Sequence, residues 1–501
     1  MSKQEIKEIK EKIINMLKKN KIDIKAVVSI GHLKFIKYVY EKGFPLKNAS
    51  LCSNAAFYGH LDCIKYLHEN GCPWDKDTCG YAAKNGHLDC LKYAHENGCP
   101  WSTETCKWAA SENGHLNCLK YAHENGCPWN AETCEEAAKY GQFRCLKYAH
   151  ENGCPWSTET CKWAAINDEF KCLKYAHENG CPWNADTCAW AATKGHFECL
   201  KYAIENGCPW DEWTCKDAAQ NGHLECLKYL HENECPWASN TCSSAATNGN
   251  LECLKYAHEN GCPWNERICV SAAENGHLEC LKYAHENGCD WNEETCESAA
   301  SGGNLDCLKY AHENGCPWSS ETCAWAAMQG NLNCLKYAHE NGCPWPQTTC
   351  YNYFDFEFDD DEWICKFNDR LECLKYAHKN GCPWSTETCS WFAYFNHLEC
   401  LKYAHENGCP WSTETCKLAW KNDNLKCLEY AHENGCPYPQ EIRSTIVKKI
   451  LIPKWRDSVK IRPYILHWIE DTAKTLYAEN KQGRKRDYDT FVEDFNNFIK
   501  N

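Results

Sequence analysis

The sequence predicts an all-α solenoid of stacked helix-turn-helix repeats. Three observations point to this fold class: a period of 27 residues, two helical apolar patterns in each period, and a glycine and a proline that close the second pattern. The string CLKYAHENGCPW, read from Cys90 to Trp101, recurs almost unchanged from Cys63 to Tyr438 in about fourteen copies. A unit this short cannot bury a core alone, so each copy must pack on its neighbours.

The unit from Ser102 to Trp129 shows how the first helix is specified. Ser102 is a suitable N-cap, and Glu104 lies in the first turn, where the helix dipole favours an acid. Ala109 and the alanine after it offer a smooth face for close packing. We therefore expect a short first helix that ends near Gly114.

The second helix of the same unit has one apolar side and a clear end. Its apolar positions are Leu116, Leu119, Tyr121 and Ala122. Asn125 and Gly126 can form a left-handed C-cap, and Pro128 prevents the helix from continuing. Each helix has about ten residues, which is too short to be stable alone in water. Stacking must therefore supply the stability.

We expect three regions along the chain. Residues 1–22 form an N-terminal capping helix, residues 23–438 form the repeat array of about 14 to 15 units, and residues 439–501 form a C-terminal helical cap or subdomain. An insertion near 351–363 interrupts the array. It is either a decayed repeat with a loop or a protruding acidic and aromatic contact element, since insertions in solenoids map to loops.

The register from Ala191 to Cys208 resembles the ankyrin repeat. Its paired alanines, the Gly-His step after them, the apolar pair that follows and the closing Asn-Gly all stand in the order of that family. The resemblance covers roughly residues 25–438. It implies a non-enzymatic scaffold in which the first helices line a concave surface that binds another protein.

The unit departs from the family in length. The family unit has about 33 residues, and the missing residues, near Trp210 to Thr214, fall where the family carries its β-turn finger. Binding through long hairpin tips is therefore not expected. This compact version, rich in Cys-Pro-Trp, is similar to the ankyrin arrays of giant DNA viruses of amoebae and of some protists. That likeness implies a host protein as the partner.

Charge and hydropathy limit the partners further. The formal charge of -15 repels a phosphate backbone, and the lysines and arginines are spread through the repeats, so we expect no nucleic acid partner. The first residues lack the apolar core of a signal peptide, and no apolar run is long enough to span a bilayer. We expect a monomeric cytoplasmic protein, in the host cytoplasm if the source is viral, that does not bind membranes.

The 43 cysteines occupy three places in each unit, as at Cys106, Cys118 and Cys127. Neighbouring units are separated by about 8 to 10 Å, whereas a disulfide needs Cα atoms within about 7 Å, so a ladder of bridges along the stack is excluded. We interpret these cysteines as small buried apolar residues, with no metal and no cofactor. The alternatives are a zinc site of His95, Cys99 and Cys106, and a redox-active thiol.

The sequence predicts no catalytic residues. A nucleophile and its base need one shaped pocket that excludes water, and fourteen equal copies on a regular surface do not provide one. We expect His95 to interact with the carbonyl end of its helix, and His87 to form a hydrogen bond between units.

Tryptophans occur in two kinds of position. Trp101 recurs in nearly every unit, and we expect it to pack between units. A second set shares one first-helix position that is tyrosine, acid or serine in other units: Trp108, Trp163, Trp190, Trp325 and Trp391. Because a position that accepts an acid or a serine is not core, we expect these side chains to be exposed.

A candidate partner-binding surface follows from this variation. It combines the second tryptophan set with Trp213, Lys107 and Lys162. The alternatives are a surface that merely drifts in sequence, a zinc- or thiol-binding array, and an adaptor that recruits host ubiquitin machinery through its C-terminal region.

Overall fold

The computed structural model describes residues 24–345, 367–385, 387–422 and 424–437. All regular secondary structure in these ranges is helical, which confirms the predicted all-α class. The chain divides into two compact units, Met1–Ile268 and Cys269–Asn501, and each unit is an α-solenoid of helix-turn-helix repeats. Three expected features lie outside the described residues: the capping helix in 1–22, the insertion near 351–363 and the C-terminal region 439–501.

The helices of the first unit alternate between a first and a second helix of each repeat. They are α1 (Ile24–Ser29), α2 (Leu33–Glu41), α3 (Ala49–Phe57), α4 (Leu61–Glu69), α5 (Lys76–Lys84), α6 (Leu88–Glu96), α7 (Thr103–Ala109), α8 (Leu116–Glu124), α9 (Ala131–Lys139), α10 (Phe143–Glu151), α11 (Thr158–Ile166), α12 (Phe170–Glu178), α13 (Ala185–Lys194), α14 (Phe197–Glu205), α15 (Glu212–Gln220), α16 (Leu224–Glu232), α17 (Thr241–Thr247) and α18 (Leu251–Glu259).

The remaining helices continue the same alternation. They are α19 (Arg267–Glu274), which begins two residues before the boundary between the units, α20 (Leu278–Glu286), α21 (Glu293–Gly302), α22 (Leu305–Glu313), α23 (Ser320–Met328), α24 (Leu332–Glu340), α25 (Phe367–Lys379), α26 (Thr388–Tyr394), α27 (Leu398–Glu406), α28 (Thr413–Lys421) and α29 (Leu425–Glu433). None of the helices in the described ranges is long and apolar enough to cross a membrane.

The caps read from the sequence are present at both ends of the helix pair. Ser102 and Thr105 form a capping box at the start of α7. At the end of α8, Asn125 is the C-cap and Gly126 follows with a φ of +83°. These caps satisfy backbone groups that a helix end otherwise leaves without partners.

The core lies between the two layers of helices. Within each compact unit, first helices pack on first helices of neighbouring repeats and on second helices of their own repeats, while second helices pack on second helices. Leu119, Cys118 and Ala109 are all at most 1% exposed, and their counterparts repeat along the array. Fully burying a side chain such as Leu119 stabilises the fold by about 1.5 to 3 kcal/mol.

Three kinds of hydrogen bond accompany this packing. The Trp74 indole N–H donates to the carbonyl oxygen of Asn97 at 3.0 Å. The Cys99 thiol lies 3.2 Å from the carbonyl oxygen of Asp75, within one repeat. The His87 Nε2 atom lies 3.2 Å from the carbonyl oxygen of Phe57 in the preceding repeat, which confirms the expected bond between units.

Gly59 is required for the contact that His87 makes. Its φ is +74°, a left-handed conformation that side chains with a Cβ disfavour. A Cβ built on Gly59 would also lie 2.5 Å from His87 Nδ1. The glycine therefore serves two purposes, because it allows the turn and leaves room for the imidazole of the next repeat.

We expect Gly59→Ala to destabilise the array more than Gly98→Ala does. Both glycines have positive φ angles, but a Cβ on Gly98 would meet nothing within 4 Å. Gly98→Ala adds only backbone strain of about 1 kcal/mol, whereas Gly59→Ala also displaces His87. Urea unfolding of the two variants measures the difference. Equal losses would show that the imidazole contact contributes nothing.

Candidate functional site

The six predicted tryptophans differ in exposure. Trp190 and Trp213 are 40% and 51% exposed. The other four are half-buried: Trp108, Trp163, Trp325 and Trp391. The expectation of exposure is therefore right for the first two and wrong in degree for the other four, although none of the six is in the core.

Trp108 is half-buried because it lies against an aromatic ring of the preceding repeat. Its ring stacks on Tyr81 with centroids 5.4 Å apart and an interplanar angle of 9°. Gly80 gives the indole room, since a Cβ built there would lie 2.6 Å from the Trp108 ring. The stack supplies stability as well as surface, because offset aromatic pairs contribute about 0.5 to 1.5 kcal/mol beyond burial.

Trp163 carries positive charge around its ring. The Lys139 Nζ atom lies 4.9 Å from the ring centroid, and the Lys162 Nζ atom lies 6.0 Å from it. Lysines at these distances are attracted to the electron-rich face of an indole. Lys162 is also paired with Glu159 at 2.6 Å, so its charge is partly neutralised within its own helix.

Lys107 is likewise held in an ion pair. Its Nζ atom lies 2.8 Å from a carboxylate oxygen of Glu132 in the next repeat, and this contact raises the pKa of Lys107. Lys107 is therefore a support that joins neighbouring helices, as well as a surface charge.

The most open part of the site is formed by Trp190 on α13 and Trp213 on α15. These two first helices belong to consecutive repeats and pack against each other. Trp213 lies near the start of α15, with Lys216 Nζ 5.8 Å from its ring centroid. We refer to Trp190 and Trp213 as the tryptophan patch.

Trp391 belongs to the second compact unit and has a local aromatic environment. Its ring centroid lies 5.8 Å from that of Tyr394 and 6.2 Å from that of Phe395, both on or beside α26. Trp325 is half-buried on α23 in the same unit. These two residues are therefore not part of the tryptophan patch.

Trp101 and His95 form a contact that the sequence reading missed in part. As predicted, Trp101 packs between units, with its ring 6.4 Å from that of Tyr121 in the next repeat. His95 lies in the last turn of α6, as expected, and its ring also stacks on that of Trp101 with centroids 3.7 Å apart. The constant spacing of histidine, tryptophan and tyrosine along the chain was the signal that could have revealed it.

The hypothetical zinc ligands are not brought together. The Cys99 thiol neighbours Cys79 of its own repeat, and His95 lies against Trp101. Within the described ranges, no group of three or more histidine, cysteine, aspartate or glutamate side chains could hold a metal ion. The candidate set of His95, Cys99 and Cys106 is therefore corrected, because Cys99 turns into its own repeat.

The thiols of the second-helix cysteines, such as Cys90 and Cys118, are held in their neutral form. All described cysteines are buried and reduced. Burial is the main cause that raises the pKa of Cys90 and of Cys118 from 9.0 to about 12. A neutral buried thiol is a poor nucleophile and a poor metal ligand, which agrees with the interpretation of small apolar side chains.

These pKa values predict loss of stability at alkaline pH. A thiol whose pKa is raised on folding contributes stability that is fully present below its unfolded value, 9.0, and is lost as the pH rises towards about 12. We expect the melting temperature to fall across this interval. Replacing Cys90 and Cys118 with valine should make the fall shallower, and an unchanged slope in that variant would contradict the assignment.

Parts of this chain are similar to proteins of a known family. Residues 52–133 and 215–295 match a family model described as ankyrin repeats (3 copies), and residues 188–231 match one described as ankyrin repeats (many copies). A search of curated proteins found no match. Among solved structures the chain is similar to the crystal structure of the human ASB11 ankyrin repeat domain, with 20% identity, 32% of this chain and 86% of that chain covered, and a TM-score of 0.29. Residues 52–133 and 188–295 of this chain are therefore similar to ankyrin repeats.

Proposed function

We propose that this protein is a non-enzymatic scaffold that binds a protein partner through its first helices. One observation carries the proposal: Trp190 and Trp213 are 40% and 51% exposed on first helices that pack side by side. Tryptophan is enriched among the residues that contribute most to protein interfaces. Ankyrin repeats generally act as protein-protein interaction modules, and the matched segments are such repeats.

Comparison among the repeats supports a role other than folding. The first-helix position of Trp190 is Ser244 in another repeat, and that repeat forms the same helix pair. A tryptophan that stability does not require leaves a large apolar side chain in water. Such a side chain is favourable when a partner covers it, because burial returns roughly 25 cal/mol per Å².

The lysines beside the tryptophans add a polar rim. Lys216 lies beside Trp213, while Lys139 and Lys162 flank Trp163. Interfaces commonly combine a central aromatic anchor with a charged edge that steers the partner and fixes its orientation. A partner with an apolar segment bordered by acidic residues would suit this arrangement.

The finer part of the proposal concerns the source of the protein and its location in the cell. The likeness to compact arrays of giant DNA viruses supports a host protein as partner, and a monomer acting in the host cytoplasm. The adaptor hypothesis, in which residues 439–501 recruit ubiquitin machinery, falls on residues outside the described ranges. The zinc hypothesis has no assembled ligand set in its favour among the described residues.

We expect the double substitution Trp190→Ala and Trp213→Ala to weaken partner binding while leaving the melting temperature nearly unchanged. The partner is first identified by affinity capture and mass spectrometry, and its affinity is then measured with purified proteins. Loss of two interface anchors should weaken binding about 30-fold or more.

A matched control separates binding from stability. Trp183 stacks on His177 at 3.8 Å and packs towards Tyr202 of the next repeat, so Trp183→Ala should lower the melting temperature. Unchanged affinity in the tryptophan patch variant would refute the proposed surface. A drop in its melting temperature as large as that of Trp183→Ala would show that the patch is structural.

A further inference from the structure

A groove of about 650 Å³ crosses the starts of consecutive second helices in the first compact unit. Its lining comes from the loops before α6, α8 and α10 and from the first turns of these helices and of α12. None of the tryptophans of the candidate site lines it. The polar side chains of the lining are His115, Asn117, Gln142, Arg144 and Lys171.

The charge of this groove departs from the rest of the array. The residue before the second-helix cysteine is acidic in most repeats: Asp62, Asp89, Glu198, Glu225, Glu252, Glu279, Asp306, Glu372 and Glu399. In three consecutive repeats it is Asn117, Arg144 and Lys171. Asn333, Lys426 and, at the same place in the first repeat, Lys34 are exceptions that stand singly. The groove therefore lies where three adjacent repeats have lost the acid.

The two cations of the groove are open to a ligand. Arg144 and Lys171 are both exposed. On the same two helices, Lys147 pairs with Glu151 and Lys174 pairs with Glu178, whereas Arg144 and Lys171 have no ion pair within the described part of the chain. In a protein with a formal charge of -15, two adjacent unpaired cations form a distinct positive patch.

Acidic side chains border the groove without lining it. Asp168 and Glu169 lie in the loop before α12, where Asp168 is 3.6 Å from His196. Burial raises the pKa of Glu169, whose side chain lies over Gly141. No carboxylate belongs to the lining itself. The charged side chains of the lining are therefore the cations Arg144 and Lys171.

The loop before α10 leaves backbone N–H groups without a side-chain cap. Gln142 precedes the helix, but its amide nitrogen donates to the carbonyl oxygen of Glu112 in the preceding repeat at 2.6 Å. Neither α8 nor α10 has a hydrogen bond from its N-cap side chain. The positive end of the helix dipole adds to the charge of Arg144 there.

We propose that this groove binds an acidic peptide segment of a protein partner, with its carboxylates or phosphates against Arg144 and Lys171. The groove spans about three repeat steps, or roughly 20 to 30 Å, which accommodates about six to nine extended residues. The proposal does not depend on the tryptophan patch, because the two surfaces share no residue.

Fluorescence anisotropy with labelled peptides tests the proposal on the full chain. The probes are peptides of about nine residues in which serine alternates with glutamate, with phosphoserine, or with glutamine. We expect saturable binding of the two anionic peptides and none of the glutamine peptide. We also expect the affinity to fall as salt rises, because exposed charges are screened.

A pair of charge-matched variants isolates the groove. Arg144→Glu with Lys171→Glu should weaken binding at least about tenfold. Lys147→Glu with Lys174→Glu changes the net charge equally on the same two helices, and it should alter the affinity by less than about twofold. Circular dichroism melting shows whether each variant is folded. Trp190→Ala with Trp213→Ala should retain the binding.

Three results would overturn the proposal. They are the absence of saturable binding by the wild-type chain, equal losses in the two charge-matched variants, and binding of the glutamine peptide as tightly as the anionic ones. If only one of the two anionic peptides binds, and the Arg144→Glu with Lys171→Glu variant no longer binds it, the groove is an anion site. That peptide then identifies the anion as a carboxylate or a phosphate. If the tryptophan patch proved not to bind a partner, these outcomes for the groove would be unchanged.

Discussion

In the part of the chain that the structure describes, a helix covers its apolar face by packing on helices of neighbouring repeats. A nine-residue helix such as Leu116–Glu124 gains too little from its own hydrogen bonds to persist in water. What stabilises it is burial of Leu119 and Cys118 against equivalent side chains one repeat away. The stability of the array is therefore a sum of neighbour contacts, as expected for a repeat architecture.

This dependence explains why the repeated positions vary so little. Trp74 reaches the backbone of Asn97, and His87 reaches that of Phe57, so a change in one repeat affects the next. Positions whose side chains form no such hydrogen bond with a neighbouring repeat are free to differ. The tryptophan patch and the two cations of the groove, Arg144 and Lys171, occupy such positions, which is why we assign them to binding and the constant string to folding.

The sequence predicted what depends on local chemistry. The N-cap at Ser102, the left-handed turn at Gly126 and the bond from His87 are all properties of a few neighbouring residues or of an exact repeat. The half-burial of Trp108 was not predictable, because it depends on a tyrosine and a glycine in the preceding repeat. Likewise, the direction of the Cys99 side chain, whose thiol lies against the carbonyl oxygen of Asp75, depends on how the chain turns after the second helix.

The groove escaped prediction for a different reason. Asn117, Arg144 and Lys171 are visible in the sequence as departures from an acidic position, but their separation of 27 residues hides that they are neighbours. Only the stacking of second helices reduces the distance between these positions to about 8 to 10 Å per repeat. Variation is informative in such a chain when it is read across repeats at one position.

The uniform interface between repeats has a consequence for the history of the chain. Because the same indole, imidazole and thiol contacts occur at one junction after another, a repeat removed or duplicated whole leaves two surfaces that already fit. Such an array can change in length by recombination between its near-identical copies without a new core being selected. Arg144 and Lys171 stand in adjacent copies, so a duplication there would lengthen a binding surface in one step.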